Sequence, residues 1–292
     1  MRAIIILLFI LLILVNSVER FTDKPERLPY IKLQQPSDDV TEIPMIIHRT
    51  WDTQYIKTSM FKRCHLKWLE LNPSYIQTWS SKNARVSFLS KLDPSVLEAY
   101  DKLIPGAYKA DLWRLCVLYV YGGVYVDGQT SPYQSLDYIF KDCFKTECKH
   151  KLVTALDPKK AGGGIHNGFI ACTPKHPYIL QYIKDLIENV VNEEYTDHTL
   201  GVTGPRLFAK SVRKVIGRDV EFKRGHNDHE LPFYLLWLEW GLFQYIYKGD
   251  TIVMTKKYNT FDYVYGKITN KSGYNRLWYN RAIFKTQSKK II

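Results

Sequence analysis

Cysteine is scarce in this chain of 292 residues: five are present and none forms a Cys-x-x-Cys pair, which removes paired-thiolate metal centres from consideration. Acids are scarce as well, with 29 Asp and Glu against 41 Lys and Arg, so the formal charge is +12. There is no internal repeat and no low-complexity tract, which excludes a repeat array. What remains is core-forming material. Hydrophobic residues make up 46% and aromatics 14%, enough for one large globular domain rather than a disordered chain.

A long membrane-spanning run is also missing. The apolar stretch Ala3–Val15 has thirteen residues, about right for a signal-peptide core and short of the roughly 17–25 that a span needs. Cleavage near Val15 and Ser17 and an uncleaved anchor extended by Asn16 to Val18 are both open; a plain core helix is the third reading. Either of the first two places the rest of the chain in a lumen or outside the cell, as a single-pass type II membrane protein or a secreted one. Residues 1–20 form this segment. Residues 21–40, with Pro25, Pro29 and Pro36 and no periodicity, read as a stem. Residues 41–292 form the folded domain.

The basic excess is concentrated. Residues 251–292 hold nine Lys or Arg against one acid, Asp262. In a lumenal protein this favours nucleotide phosphates, acidic glycans or anionic headgroups as partners, not nucleic acid. Cys143 and Cys148 flank a short charged loop and are expected to be able to pair, whereas Cys116 belongs to an apolar helix. Asn270-Lys-Ser272 is a glycosylation sequon, weak by itself.

Strand and helix patterns alternate. Ile43 to His48 and Tyr75 to Trp79 read as strands. Phe61, Cys64, Trp68 and Leu71 recur at helical spacing. Short helices are expected over 84–90 and 94–104, strands over Lys151–Leu156 and Ile165–Cys172, and amphipathic helices over Pro177–Val191 and Pro205–Ile216. The order implies a mixed α/β sheet. The aromatic-rich stretch from Arg224 to Gly249 has no clear period, and within it His226 to Glu230 reads as a solvated loop rather than a metal site.

The most informative segment runs from Ala110 to Thr130. A helix carrying Asp111 and Arg114 on one face stops at Gly122-Gly123. A short strand, Val124-Tyr125-Val126, then ends on Asp127, and ligands of α/β sheets bind outside the carboxyl ends of strands. Two carboxylates and a guanidinium are thus aimed at one cleft. By alternation Tyr125 points to the opposite face from Val124 and Val126, toward donor or core.

Ala110-Asp-Leu-Trp-Arg114 and Tyr121-Gly-Gly-Val-Tyr-Val-Asp127 resemble the sugar-binding region of glycosyltransferase family 32. Ile43–Trp51, His166–Cys172 and Thr203-Gly-Pro205 match in the family's order, with a fainter echo in Gly273–Trp278. The resemblance implies a GT-A type fold, a Rossmann-like mixed sheet flanked by helices. It also implies a retaining hexosyl transfer from a nucleotide-sugar donor, GDP-mannose or a UDP-hexose, to a glycan, lipid or protein acceptor. Asp111, Arg114 and Asn167 would hold donor-sugar hydroxyls; Trp51, Tyr125 and Gly123 would meet the nucleotide; Gly204 and Trp278 would lie at the phosphate or lid. Asp127 is the expected catalytic acid and Mn²⁺ or Mg²⁺ ligand.

One position departs from the pattern. Gln129 stands where the family has a second Asp, and an amide oxygen coordinates without bringing charge. Two outcomes follow: a weakened metal held by Asp127, Gln129 and the donor phosphates, or basic side chains of the C-terminal stretch neutralising those phosphates instead. No side chain reads as a covalent nucleophile, so a front-face displacement is expected. The competing readings are a non-catalytic binding protein of the same fold, a basic glycan- or membrane-binding protein, and a glycoside hydrolase.

Overall fold

The computed structural model describes residues 26–27, 37, 40–52, 55–56, 59–144, 148–158, 164–240, 243–256 and 273–285. The N-terminal apolar segment, nearly all of the stem, the sequon and most of the basic C-terminal stretch lie outside the described residues. Among the described residues, no helix is long and apolar enough to cross a membrane.

The chain begins with strands β1 (Glu26–Arg27), β2 (Ile46–Thr50) and β3 (Tyr55–Ile56), helix α1 (Ser59–Leu71) and strand β4 (Ile76–Ser80). Helices α2 (Lys82–Leu89), α3 (Pro94–Lys102) and α4 (Gly106–Tyr121) lead to strands β5 (Gly123–Val126) and β6 (Thr130–Pro132). Helix α5 (Leu136–Phe140) precedes strands β7 (Leu152–Asp157), β8 (Gly164–Ile165) and β9 (Phe169–Cys172). Helices α6 (Pro177–Val191), α7 (Thr199–Val202) and α8 (Pro205–Ile216) follow. Strands β10 (Gly225–Asn227), β11 (Phe233–Trp240), β12 (Gln244–Lys248) and β13 (Thr251–Lys256) and helix α9 (Gly273–Tyr279) complete the described fold.

The main sheet runs β4-β2-β5-β9-β7-β11-β12-β13-β6, with β8 on β7 and β10 on β11. Strands β2 and β4, β2 and β5, and β7 and β11 are parallel; β5–β9, β7–β9 and the β11-β12-β13-β6 run are antiparallel. This is the mixed sheet flanked by helices that the sequence predicts. Connectivity forces it to curl. Strand β6 ends the path while β5 is its third member, yet only Asp127, Gly128 and Gln129 separate them in sequence. Such a link reaches about 14 Å at full extension, so the β13–β6 edge must return beside the end of β5.

The start of β5 depends on two glycines. Gly122 stops α4 with φ +64°, and a Cβ there would lie 2.7 Å from the Pro174 ring and 2.9 Å from that of Pro44. Gly123 follows at φ +90°, 2.6 Å short of the Ile46 carbonyl by the same construction. Both positions favour glycine by backbone conformation and by space. Beyond them the strand alternates: Val124 and Val126 pack with Trp68, Phe169 and Met254, while Tyr125 packs with Trp113 and Tyr182 on the helical face.

Three expectations change. The single strand expected over Ile165–Cys172 is two, interrupted by His166 to Gly168. The stretch without a clear period contains β10, β11 and β12, whose side chains are buried on both faces over Leu235–Leu236, which hides the alternation. Cys143 and Cys148 are not joined: both are free thiols, Cys143 buried and donating to the Ile139 carbonyl at 3.0 Å. His48 is a core histidine, fully buried with Nε2 2.9 Å from the Gly122 carbonyl oxygen, and burial lowers its pKa to about 4.

Candidate functional site

Helix α4 carries Asp111 and Arg114 one turn apart, and both are buried. Arg114 Nη2 lies 2.9 Å from Asp111 Oδ1 and 3.6 Å from Asp127 Oδ1, so one guanidinium bridges the helix acid and the strand-end acid. Its Nη1 donates to the Asn167 carbonyl at 2.6 Å, and the group lies over the Tyr125 ring at 4.4 Å. The flat fork thus satisfies two carboxylates, a carbonyl and an aromatic face at once, which an ammonium could not do.

Asp111 is held from three sides. Arg114 and Asn167 Nδ2, at 3.1 Å, meet Oδ1, while Thr203 Oγ1 donates to Oδ2 at 2.6 Å. Tyr182 supports this arrangement from α6, donating to the Thr203 carbonyl at 2.6 Å and receiving from Asn167 Nδ2 at 3.2 Å. Burial pushes the Asp111 carboxyl up to about 6, against the pull of Arg114, Thr203 and Asn167. Three acceptor sites of the carboxylate are filled, leaving about one of its four.

Asp127 follows β5 and is positioned by its own backbone N–H, which donates to the Gly168 carbonyl at 3.0 Å. Tyr125 OH donates to Oδ1 at 2.8 Å, and Lys256 Nζ donates to Oδ2 at 2.6 Å. Burial alone would raise its pKa, but Lys256 and Arg114 more than offset that and hold the carboxyl well below the usual carboxylate range. Close packing fixes the acid further. A Cβ on Gly168 would lie 2.9 Å from Asp127 Oδ2 and 2.8 Å from His166 Nε2.

Two cavities open around this cluster. The larger, about 510 Å³, is lined by Asp157, His166, Asn167, His198, Tyr274 and Trp278 among others. The smaller, about 320 Å³, lies over Thr50, Trp51, Asp52, Arg85 and Arg114. Asp127 and Lys256 line both cavities and are their shared boundary.

The structure therefore brings together Asp111, Arg114, Asp127 and Asn167. Trp51 is 44% exposed at the smaller cavity, its ring 4.8 Å from that of Phe61. Gln129 lines the same cavity. Tyr125 also reaches it, although its ring is buried and its hydroxyl is committed to Asp127. Trp278 lines the larger cavity from α9. Gly204 caps α8, its carbonyl receiving from Tyr182, and it is its neighbour Pro205 that lines the larger cavity. Gly123 lies beneath β2 at the start of β5 and lines neither cavity.

Sequence reasoning gave no role to five side chains that the structure places here: Lys256, Thr203, Tyr182, His166 and Asp157, the last two with Nδ1 and Oδ1 3.3 Å apart. Lys256 had a signal in the basic C-terminal stretch, and Thr203 and His166 lie within the segments that resemble the family.

A divalent cation needs hard oxygen donors with lone pairs available. Here one Asp127 oxygen takes the Lys256 ammonium and the other takes Tyr125 OH. Gln129 offers a neutral amide in place of a second carboxylate. Among the described residues no group of three or more His, Cys, Asp or Glu is placed to hold an ion. A cation at Asp127 would have to displace an ammonium from its oxygen. These residues fit Mn²⁺ or Mg²⁺ poorly, and of the two outcomes the sequence leaves open they favour a basic side chain over a metal on Asp127 and Gln129. His226 to Glu230 likewise forms no such group.

Residues 58–145 match the family described as the glycosyltransferase sugar-binding region containing the DXD motif. The chain is 27% identical over 232 residues to inositol phosphoceramide mannosyltransferase 2 of Schizosaccharomyces pombe, covering 72% of this chain and 63% of that protein. It is 29% identical over 189 residues to a mannosyl phosphorylinositol ceramide synthase of Saccharomyces cerevisiae, covering 64% of this chain and 45% of the relative. An uncharacterized glycosyltransferase of Acanthamoeba polyphaga mimivirus is 28% identical over 173 residues, covering 58% of this chain and 64% of its own. The chain thus spans between about half and two thirds of the length of these relatives. The matches agree with the resemblance: residues 58–145, which include Asp111, Arg114 and Asp127-Gly-Gln129, are similar to a glycosyltransferase sugar-binding region.

Proposed function

We propose that the chain is a retaining hexosyltransferase that moves a sugar from a nucleotide-sugar donor to a glycan, lipid or protein acceptor. The observation that carries this reading is the buried Asp111–Arg114–Asn167 network, which lies beside an acid shared by two cavities. A polyol is recognised by such convergent acceptors and a planar donor fork. The nucleotide occupies the smaller cavity with its base against Trp51. The diphosphate lies at Asp127 and Lys256, and the acceptor enters from the larger cavity, where Trp278 closes over it. Asp111, Arg114 and Asn167 hold sugar hydroxyls, one hydroxyl taking the remaining acceptor site of Asp111.

The reaction breaks the bond between the anomeric carbon and the phosphate oxygen and forms a bond to the acceptor oxygen on the same face. The acceptor proton passes to the departing phosphate. Both oxygens of Asp111 and of Asp127 are already committed to donors, which supports front-face displacement over a covalent carboxylate intermediate. Orientation and charge complementarity then supply the rate.

Mannose is the first choice of donor sugar, and an inositol phosphoceramide the first choice of acceptor, because relatives similar to this chain are named for mannosyl transfer to that lipid. GDP-mannose is the mannosyl donor that the resemblance to family 32 implies. The apolar N-terminal segment would place this activity in the secretory pathway, as an anchored or a secreted protein. The test is transfer by the full chain to inositol phosphoceramide in detergent micelles, with GDP-mannose, UDP-glucose, UDP-galactose and UDP-N-acetyl sugars offered in turn. A mannosylated lipid from GDP-mannose is expected. Donor binding with no transfer from any of them would favour a non-catalytic carbohydrate- or nucleotide-binding protein, the reading that Gln129 supports.

A further inference from the structure

We propose that Lys256 is the resident cation of this site: its ammonium neutralises the donor's diphosphate where a divalent metal would otherwise stand, so that the cleft binds its nucleotide without metal. The inference rests on the donor reading above and adds to it how the leaving group's charge is met.

Three observations converge on Lys256. The first is contact. Its Nζ lies 2.6 Å from Asp127 Oδ2, the carboxylate oxygen a metal would use. The pair is partly exposed, with side-chain accessibilities of 22% for Lys256 and 19% for Asp127. It is therefore reachable by ligand yet set back from bulk water, where a charge contact is weakly screened.

The second is placement by backbone. Lys256 is the last residue of β13 and pairs in register with Thr130, the first residue of β6. Thr130 in turn follows Asp127 by three residues, and its N–H donates to the Asp127 carbonyl at 2.9 Å. Sheet closure therefore brings the backbone of Lys256 beside Asp127, within reach of its side chain, and both residues line both cavities. Any ligand spanning the two cavities passes this pair.

The third is charge balance. Two carboxylates with one divalent ion sum to zero. Here the second carboxylate is the neutral Gln129, and one carboxylate with one ammonium again sums to zero. The neutral amide at 129 and the ammonium at 256 are complementary in charge at one site. An ammonium can also donate to a carboxylate and a phosphate oxygen together, as a compact point charge. Arg114, bound to both acids, keeps the rest of the cluster neutral.

The experiment is calorimetric titration of the full chain with GDP and with UDP, in excess EDTA and again in Mn²⁺. The proteins compared are the wild type, Lys256→Met, which keeps the apolar stem, and Lys256→Arg. The wild type should bind one of the two diphosphates with affinity unchanged, within about twofold, between EDTA and Mn²⁺. Lys256→Met should bind that diphosphate at least tenfold more weakly in EDTA, the loss of one charge-assisted contact. Its affinity for the corresponding nucleoside, which has no phosphate, should not change, and a misfolded variant would lose both. Lys256→Arg should recover part of the diphosphate affinity. Wild-type binding that disappears in EDTA, or a Lys256→Met variant that binds as tightly as the wild type, would overturn the proposal. If the wild type binds neither diphosphate in either condition, the donor reading itself falls, and the role of Lys256 falls with it.

Discussion

Arg114→Met is expected to cost about 3–5 kcal/mol of folding stability and to abolish donor binding, because it leaves buried carboxylates uncompensated. Arg114 contacts Asp111 at 2.9 Å and Asp127 at 3.6 Å, and it also donates to the Asn167 carbonyl, so one truncation removes a cationic partner from two carboxylates and a donor from a carbonyl. The loss should depend on pH. Burial already pushes the Asp111 carboxyl up to about 6 from 3.8, and removing the guanidinium raises it further. A group with a raised folded-state value penalises folding while it is ionised and ceases to do so once protonated in both states. The deficit of the variant should therefore be full at mildly alkaline pH and shrink as pH falls through the raised value toward 3.8. Denaturant midpoints measured across that range check it. Arg114→Lys should restore part of the stability and little of the donor binding, since an ammonium cannot reproduce the fork.

Asp127→Ala is expected to lower transfer by about 10²–10³-fold, roughly 3–4 kcal/mol of barrier, with a smaller loss of folding stability than Arg114→Met. The fold tolerates the change because Asp127 lies at the cleft, where Lys256 can turn to water once its partner is gone. Activity does not, because the acid holds Lys256 at the boundary of the two cavities and receives Tyr125 OH on its other oxygen. Without it Lys256 and Arg114 face each other without an intervening charge. Single-turnover rates at saturating donor, measured beside thermal unfolding of the same preparation, separate the two effects. A parallel loss of stability and rate would mean that Asp127 is structural.

Much of this site was legible in the sequence because it is local. Asp111 and Arg114 share a helix face, Gly122 and Gly123 end that helix, and Asp127 closes the strand four residues later. Each step is governed by short-range chemistry: helical period, positive φ, and the position of strand ends. Asn167 could be named only by resemblance, since its bond to Asp111 crosses 56 residues.

The rest was hidden by long-range closure. Lys256 meets Asp127 across 129 residues, through a pairing of β13 with β6 that no local pattern announces. Thr203, in the turn between α7 and α8, and Tyr182, on α6, complete the Asp111 shell, and a hydroxyl facing a buried acid looks in sequence like any other. The irregular turn at His166 to Gly168 was hidden too: it keeps glycine at 168 because a Cβ there would meet His166 and Asp127, and Asp127 is remote in sequence. The expected disulfide misled for a related reason. Spacing made Cys143 and Cys148 plausible partners, whereas the fold buries Cys143 against its own helix end.

The central claim is that Asp111, Arg114 and Asn167 recognise the sugar of a nucleotide-sugar donor. The most direct measurement compares thermal shifts for GDP-mannose and GDP, and for each UDP-sugar and UDP, in the wild type and in Asp111→Asn; at equal concentration the tighter ligand raises the unfolding midpoint further. For one donor the wild type should shift further with the nucleotide sugar than with its bare diphosphate, and Asp111→Asn should erase that difference while keeping the shift from the diphosphate alone. An extra shift from the sugar that survives unchanged in Asp111→Asn would contradict the account.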